Sequence, residues 1–244
     1  MTLDRTLAIT TRIILQMIRD HRSMILIFLA PTVVMCLVGF TFSDQEDTLN
    51  RLAPGLIAAF TLIFTFMLTG VSFLGERAHG TLDRLLITPV GRGDILVGYL
   101  LGFAPFAIAQ ATVVLLVTVF GLQVHYQGEL WQAAILLLVL IVVAVNLGIF
   151  ISTFARSEFQ VIQFIPLILA PQIFLSGIML PTDQLPSYFQ VIAKILPLRY
   201  AVDGLQKIML EGQSLGDVAT ELTILGGIAL ALLMLAGYTV RYQR

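Results

Sequence analysis

Glu76-Arg77-Ala78-His79-Gly80-Thr81-Leu82-Asp83-Arg84-Leu85-Leu86-Ile87-Thr88-Pro89 is a short charged stretch set between two long apolar runs. Its reading decides the fold. The runs on either side read as membrane helices, so the stretch is the charged loop of a multi-pass protein. Composition agrees. The chain has 244 residues, 58% of them hydrophobic and only 12% charged, with a mean hydropathy of +0.94. A soluble domain is nearer a quarter charged. A net charge of −1 provides no basic field for nucleic acid. The single cysteine, Cys36, excludes an intramolecular disulfide and a multi-cysteine zinc site.

About 20 apolar residues cross the hydrocarbon core. Six candidates meet that length, at about 23–42, 54–75, 95–121, 131–154, 160–180 and 222–240. The first follows Arg19 and Arg22, as in a signal peptide, but is too long for an h-region and lacks a small-residue cleavage site, so it reads as a retained span. Lys and Arg orient the spans. Arg5, Arg12, Arg19, Arg22, Arg77, Arg84, Arg92, Arg156, Arg241 and Arg244 fall on one side, ten against the four of Arg51, Lys194, Arg199 and Lys207. Both termini are therefore expected in the cytoplasm. The opposite loop, Ser43 to Ala53, carries Asp44, Glu46 and Asp47 against one arginine.

Outside the spans, two segments have helical patterns. Arg5, Arg12 and Arg19 are seven apart and share a face, with Leu7, Ile14, Met17 and Ile18 mostly elsewhere on the wheel. Residues 1–22 thus read as an amphipathic interfacial helix, or alternatively as a plain extension of the first span. In the external segment 181–221, Phe189, Ile192, Ile195 and Leu196 are spaced for one helical face, Pro197 interrupts, and Arg199, Asp203 and Lys207 follow four apart. This predicts a pair of short helices on or in the outer leaflet. The charged ladder reads as a solvated face, with a role at an exit gate as the alternative.

No ionisable residue falls inside a predicted span, and His21, His79 and His125 lie in loops. A proton-coupled carrier or intramembrane hydrolase would need such groups. No G-x-x-x-x-G-K-[ST] phosphate loop is present; the only lysines are Lys194 and Lys207. Four amides do lie at membrane depth, Gln110, Asn146, Gln163 and Gln172. They suit interhelical hydrogen bonds, or contact with a passing substrate. Gly98 with Gly102, and Gly148 with Ser152, are small pairs that permit close helix approach. Pro31, Pro105, Pro166 and Pro171 predict kinks.

Within the opening stretch, Leu82, Leu85 and Leu86 form a stripe at i, i+3, i+4, Thr81 suits an N-cap, Asp83 sits in the first turn, and Pro89 stops the helix. On physics alone this is either a partner-binding handle or a capped helix joining two spans. The pattern Glu-x-x-x-Gly-Thr-Leu-[acid]-x-Leu-x-x-Thr-Pro from Glu76 to Pro89 resembles the signature of the ABC-2 type transporter permeases. So does the run Phe174-Leu175-Ser176-Gly177-Ile178-Met179-Leu180-Pro181, followed by Leu185-Pro186 and Leu196-Pro197. Together with six spans, the resemblance covers nearly the whole chain.

The resemblance implies an all-α integral membrane protein and a single permease domain over 1–244. It has six transmembrane helices, an N-terminal interfacial helix, a cytoplasmic coupling segment at 76–94 and an external short-helix pair before the last span. It implies two permease copies, as homodimer or with a close paralogue, and two separate cytoplasmic ATPase subunits. ATP and Mg are expected in those partners and no cofactor in this chain. Glu76, Gly80, Thr81, Leu82, Asp83, Leu85 and Pro89 match the coupling helix, and Leu86 completes its stripe. Where the family often has a second acid before the glycine, this chain has His79. The expected function is therefore export of an apolar or amphipathic substrate (drug, lipid or glycan-linked lipid) across the cytoplasmic inner membrane, without catalysis by this chain. The short loops resemble those of drug- and antibiotic-export permeases. A secondary carrier or a membrane assembly factor is the alternative.

Orientation is directly testable. In a Cys36→Ala background, Asp47→Cys and Gln127→Cys should label with an impermeant thiol reagent in intact cells, and His79→Cys and Ser157→Cys should not. Labelling of His79→Cys from outside would invert the topology.

Overall fold

The computed structural model describes residues 3–78, 80–81, 91–155 and 157–239. Nine α-helices and no strand lie among the described residues: α1 (Leu3–Arg19), α2 (His21–Thr41), α3 (Glu46–Ala78), α4 (Arg92–Leu116), α5 (Leu130–Ser152), α6 (Glu158–Leu175), α7 (Ser187–Ala193), α8 (Pro197–Glu211) and α9 (Ala219–Thr239). A π-helical turn, Val117–Gly121, extends α4. The coupling-segment residues His79, Leu82, Asp83, Leu85, Leu86 and Pro89 lie outside the described residues.

Among the described residues, five helices are long and apolar enough to cross a membrane: α2, α3, α4 with its π turn, α5 and α9. The span expected at 160–180 is shorter. Its helix α6 ends at Leu175, and Gly177 at φ +92 turns the chain away in a conformation few L-residues adopt. Its 18 residues rise about 27 Å, just under the ~30 Å hydrocarbon thickness. Conversely, α3 begins at Glu46, inside the loop expected over Ser43 to Ala53. Glu46 and Asp47 occupy its first turn, where the helix dipole favours negative charge. Its 33 residues rise about 50 Å, well beyond the hydrocarbon.

The main core joins α3, α5, α8 and α9 through Leu62 and Phe66, Leu136 and Leu140, Leu205, and Leu225. Small residues permit the closest approach. A Cβ on Gly148 of α5 would lie 3.0 Å from the Phe66 carbonyl and 3.1 Å from the Gly70 nitrogen on α3. A second core forms where α1 lies on α4, with Ile9, Ile13 and Met17 against Ile95, Tyr99 and Phe103. Here the predicted small pair has an unforeseen partner. Gly98 and Gly102 receive Ile9 and Ile13 of α1, at 2.7 and 2.8 Å from a built Cβ, and not a neighbouring span.

Helix α1 has three faces. Arg5, Arg12, Gln16 and Arg19 make one; Thr6, Ile9, Thr10, Ile13 and Met17 are buried on α4; Leu3, Leu7, Leu15 and Ile18 are exposed. A helix seated on the bundle while presenting an apolar outer stripe suits the membrane interface.

The expected helix pair is α7 and α8. Helix α8 is more deeply packed than an outer-leaflet helix. Leu198, Ala201, Val202, Leu205, Ile208 and Met209 all join the main core. The Gln127 N–H donates to the Met209 carbonyl at 2.8 Å, tying the α4–α5 connection to the end of α8.

Two glycines separate close packing from open surface. Gly148→Ala should lower the melting temperature in detergent, the overpacking costing about 1–3 kcal/mol. Gly226, with nothing within 4 Å of a built Cβ, should accept alanine with no loss. Equal melting of the two variants would remove the close α3–α5 crossing.

Candidate functional site

The ends of α3 and α4 meet α1 at the arginine-rich end of the bundle, on both sides of the 79–91 stretch. Glu76, in the last turn of α3, is 7% exposed. Its Oε2 lies 2.9 Å from Arg12 Nη2 of α1, and the Tyr99 hydroxyl of α4 donates to the same oxygen at 3.3 Å. Arg12 Nη2 also donates to that hydroxyl at 3.0 Å. Tyr99 is held edge-on to Phe73, with centroids 5.0 Å apart. On the other side, Asp94 Oδ2 caps α4 by accepting the Gly91 N–H at 3.0 Å, and its Oδ1 accepts the Thr6 hydroxyl of α1 at 3.4 Å. One turn on, the Thr10 hydroxyl donates to the Gly98 carbonyl at 3.3 Å.

The chemistry of this arrangement is mechanical. A buried carboxylate is tolerable only when paired and hydrogen-bonded. Glu76 meets that demand with groups from two other helices. Residues three before the stretch and three after it are thus fastened to one helix, α1. Arg77 adds a third tie. Its Nη1 donates to the Ser152 carbonyl at 2.6 Å, satisfying a C-terminal carbonyl of α5. Gly80, at φ +69, turns the chain out of α3 with its N–H on the Arg77 carbonyl.

Of the expected coupling residues, Glu76 is therefore turned into the bundle, while Gly80 and Thr81 are half-buried. Arg12, Tyr99, Asp94 and Thr6 went unrecognised as functional in the sequence. The one signal was the seven-residue arginine row, read as a surface face although Arg12 reaches under α3. The predicted spans hold no ionisable group, but their helices run past the predicted limits. Glu76, Asp94 and Glu221 lie just beyond the predicted limits, and all three are buried within helices.

The four membrane-depth amides do not converge; among the described residues no hydrogen bond joins any two. Gln172 on α6 accepts the Leu198 N–H at 3.4 Å, capping α8. Asn146 on α5 donates to the Ala229 carbonyl of α9 at 3.5 Å. Gln110 on α4 is buried with neither amide atom partnered among the described residues. Gln163 on α6 is exposed.

At the opposite end, the charged ladder is not a solvated face. Lys207 Nζ lies 2.7 Å from Glu221 Oε1 on α9, a partner 14 residues away in place of Asp203. That hydrogen bond raises the Lys207 pKa. Arg199 Nε and Asp203 Oδ2 are 3.6 Å apart, an attraction of charge without a good hydrogen bond. Burial raises the Asp203 carboxyl above its usual range despite Arg199.

The Arg12–Glu76 pair should be strongly coupled. Arg12→Leu leaves the buried Glu76 carboxylate with the Tyr99 hydroxyl and no opposite charge, a loss of about 3 kcal/mol, tempered because Arg12 keeps a third of its side chain in water. Arg12→Leu/Glu76→Leu should melt above Arg12→Leu alone. Additive losses in thermal scans would mean that the two charges do not interact.

Likeness to known proteins bears on this geometry. The family model described as ABC-2 type transporter matches residues 4–210. The chain is 33% identical over 173 residues to ABC transporter G family member 20 of Dictyostelium discoideum, covering 71% of this chain and 24% of that protein. It is 30% identical over 169 residues to the probable multidrug ABC transporter permease YbhR of Escherichia coli, covering 69% and 46%. It is 28% identical over 176 residues to the linearmycin resistance permease protein LnrN of Bacillus subtilis, covering 72% and 45%. The matched part of the chain thus spans a quarter to just under half of these relatives. With several membrane-length helices and a family match that takes in both ends of the α1–α3–α4 junction, the chain is a multi-pass membrane protein and belongs to the ABC-2 type transporter family.

Proposed function

We propose that this chain is the membrane-spanning permease subunit of an ATP-driven exporter, moving an apolar or amphipathic substrate across the cytoplasmic membrane. A separate ATPase would dock on the 76–94 segment, at the cytoplasmic end by the arginine count. The observation that carries this is the fastening of both sides of the segment to α1, through Glu76 to Arg12 and through Asp94 to Thr6. A simple connection needs no such anchorage, whereas a handle that transmits force does. Two matched relatives are named a multidrug permease and an antibiotic-resistance permease, which supports drug-like cargo.

Helix α6 serves as the sixth pass in this reading. Its exposed face carries Phe159, Ile162, Leu167 and Phe174 together with Gln163. An amide facing lipid is costly, so this face suits a second permease copy, with Gln163 at the shared pathway. A secondary carrier is less well supported, because buried Glu76 and Glu221 are paired near helix ends and are not lone groups at mid-membrane.

The apolar stripe Leu82, Leu85 and Leu86 is the surface proposed to enter the ATPase. Truncating a buried interface anchor costs about 2 kcal/mol or more, roughly a 30-fold loss in affinity. Leu85→Asp should do worse by burying an unpaired charge. It should still insert in the membrane, yet co-purification of the ATPase and export should fail together. Lys207→Ala, at the far end, should retain the ATPase. If Leu85→Asp keeps its ATPase and exports normally, the stretch is only a connecting helix. A stable complex without ATP-dependent export would favour the assembly-factor alternative.

A further inference from the structure

Of the three buried amides among the described residues, Gln172 and Asn146 each bond the backbone of another helix. Gln110 of α4 does not. It is 1% exposed, and neither its amide nitrogen nor its oxygen has a partner or reaches water among the described residues. An amide offers two N–H donors and a carbonyl acceptor, and leaving them unmade at membrane depth is costly. This conformation therefore carries a local cost at Gln110.

A second orphan lies on α3. Thr61, Thr65 and Thr69 recur there every four residues, and all three are buried. Thr61 donates to the Ile57 carbonyl at 2.8 Å and Thr69 to the Thr65 carbonyl at 2.9 Å, each four residues back. Thr65 makes no such bond, and its Oγ1 also lacks a partner among the described residues.

Helix register sets the two orphans at one level. Helix α3 ends and α4 begins at the arginine-rich end, so the two are antiparallel, and Tyr99 bonds Glu76 there. Thr65 stands 11 residues before Glu76, and Gln110 stands 11 residues after Tyr99. Eleven residues are about three turns, so Thr65 lies on the helix face of Glu76 and Gln110 on that of Tyr99, each about 16 Å from the junction. That is roughly half the hydrocarbon thickness. The cores agree: Leu68 shares one with Ala107 and Ala111, while Leu62 and Phe66 share the other with Val114. Between Tyr99 and Gln110 stands Pro105, inside α4. It has no N–H for the Leu101 carbonyl, so α4 bends there more readily than elsewhere. The half of α4 beyond Pro105 thus has a freedom that the half fastened at Tyr99 lacks.

We propose that Gln110 and Thr65 form a conformation-specific pair, unbonded here and hydrogen-bonded when α4 bends at Pro105 in a second state of the transport cycle. The new bond removes the cost carried in this conformation and so favours the bent state. This rests on the export reading above and names two residues that set the balance between its states.

The test separates the chain alone from the working complex. The full chain is first melted in nanodiscs without a partner. Gln110→Met and Thr65→Val, which keep side-chain size without the polar atoms, should each raise the melting temperature, Gln110→Met by about 3 °C or more. Thr61→Val, which removes a bond already made, should not. The ATPase that co-purifies with the chain is then assayed in the complex. Steady-state ATP hydrolysis should fall about tenfold for Gln110→Met and for Thr65→Val, the worth of one hydrogen bond. It should fall no further in Gln110→Met/Thr65→Val, because the two side chains act through one bond. A lower melting temperature for Gln110→Met or Thr65→Val, an equal rise for Thr61→Val, or additive losses of hydrolysis overturns the proposal. Unchanged hydrolysis in a complex that still forms overturns it too and leaves the export reading standing. If Gln110→Met fails to fold, Thr65→Val carries both readouts. If no ATPase co-purifies, the export reading is lost, and the melting shifts alone keep or overturn the strained pair.

Discussion

A carboxylate at the end of a membrane helix must find a positive partner or lose its charge, and the arginine-rich end of this bundle is arranged around that requirement. Glu76 Oε2 takes Arg12 from α1 and the Tyr99 hydroxyl from α4, so three helices meet at one oxygen. The seat of α1 follows. With Arg12 fixed over Glu76, Ile9 and Ile13 fall against the bare backbone of Gly98 and Gly102. A larger residue at either glycine would lift α1 and open the ion pair. Packing and charge therefore specify the same placement.

The same rule acts at the opposite end with weaker means. Helix α8 is held by Lys207 to Glu221, by Gln172 capping Leu198, and by Gln127 bonding the Met209 carbonyl. Each tie comes from a different element, and none involves a fully enclosed charge pair. Asp203 remains desolvated beside Arg199 at 3.6 Å, and burial already shifts it toward its neutral form. The far end is thus held by several modest bonds and the near end by one costly charge well compensated.

Much of this was legible in the sequence, for physical reasons that also mark where legibility stopped. Spans are read from local hydropathy, and five of the six stand as helices of sufficient length. The exception, α6, ends early because of a backbone conformation at Gly177 that hydropathy does not sense. The small pair Gly98 and Gly102 announced a close approach, but its partner lies 89 residues earlier, in a helix whose arginine row pointed to water. Glu76 read as a handle residue because it follows the last apolar residues of its span; only the fold brings Arg12 to it. The i,i+4 rule chose Asp203 for Lys207, yet the turn after Gly212 returns the chain so that Glu221 is the nearer acid. Apart from α6, the local pattern was sound and a long-range partner decided the role.

Transmission between the ends calls for an element that is stiff and in contact with both. Helix α3 runs unbroken from Glu46 to Ala78, carrying Leu49 in the far cluster and Glu76 at the near junction. Its close crossing with α5 at Gly70 and Gly148 makes these two helices slide or tilt together, because dense packing admits discrete rearrangements more readily than gradual bending. A displacement of the 79–91 segment acts on α3 directly through its last turn and on α4 through Asp94. The α8 helix packs on α3, α5 and α9 in the main core. It therefore registers a shift of the α3–α5 pair before any loop does. For the export reading, this makes the far-end ties of α8 the contacts that must exchange when the near end moves, and their modest individual strength suits that exchange.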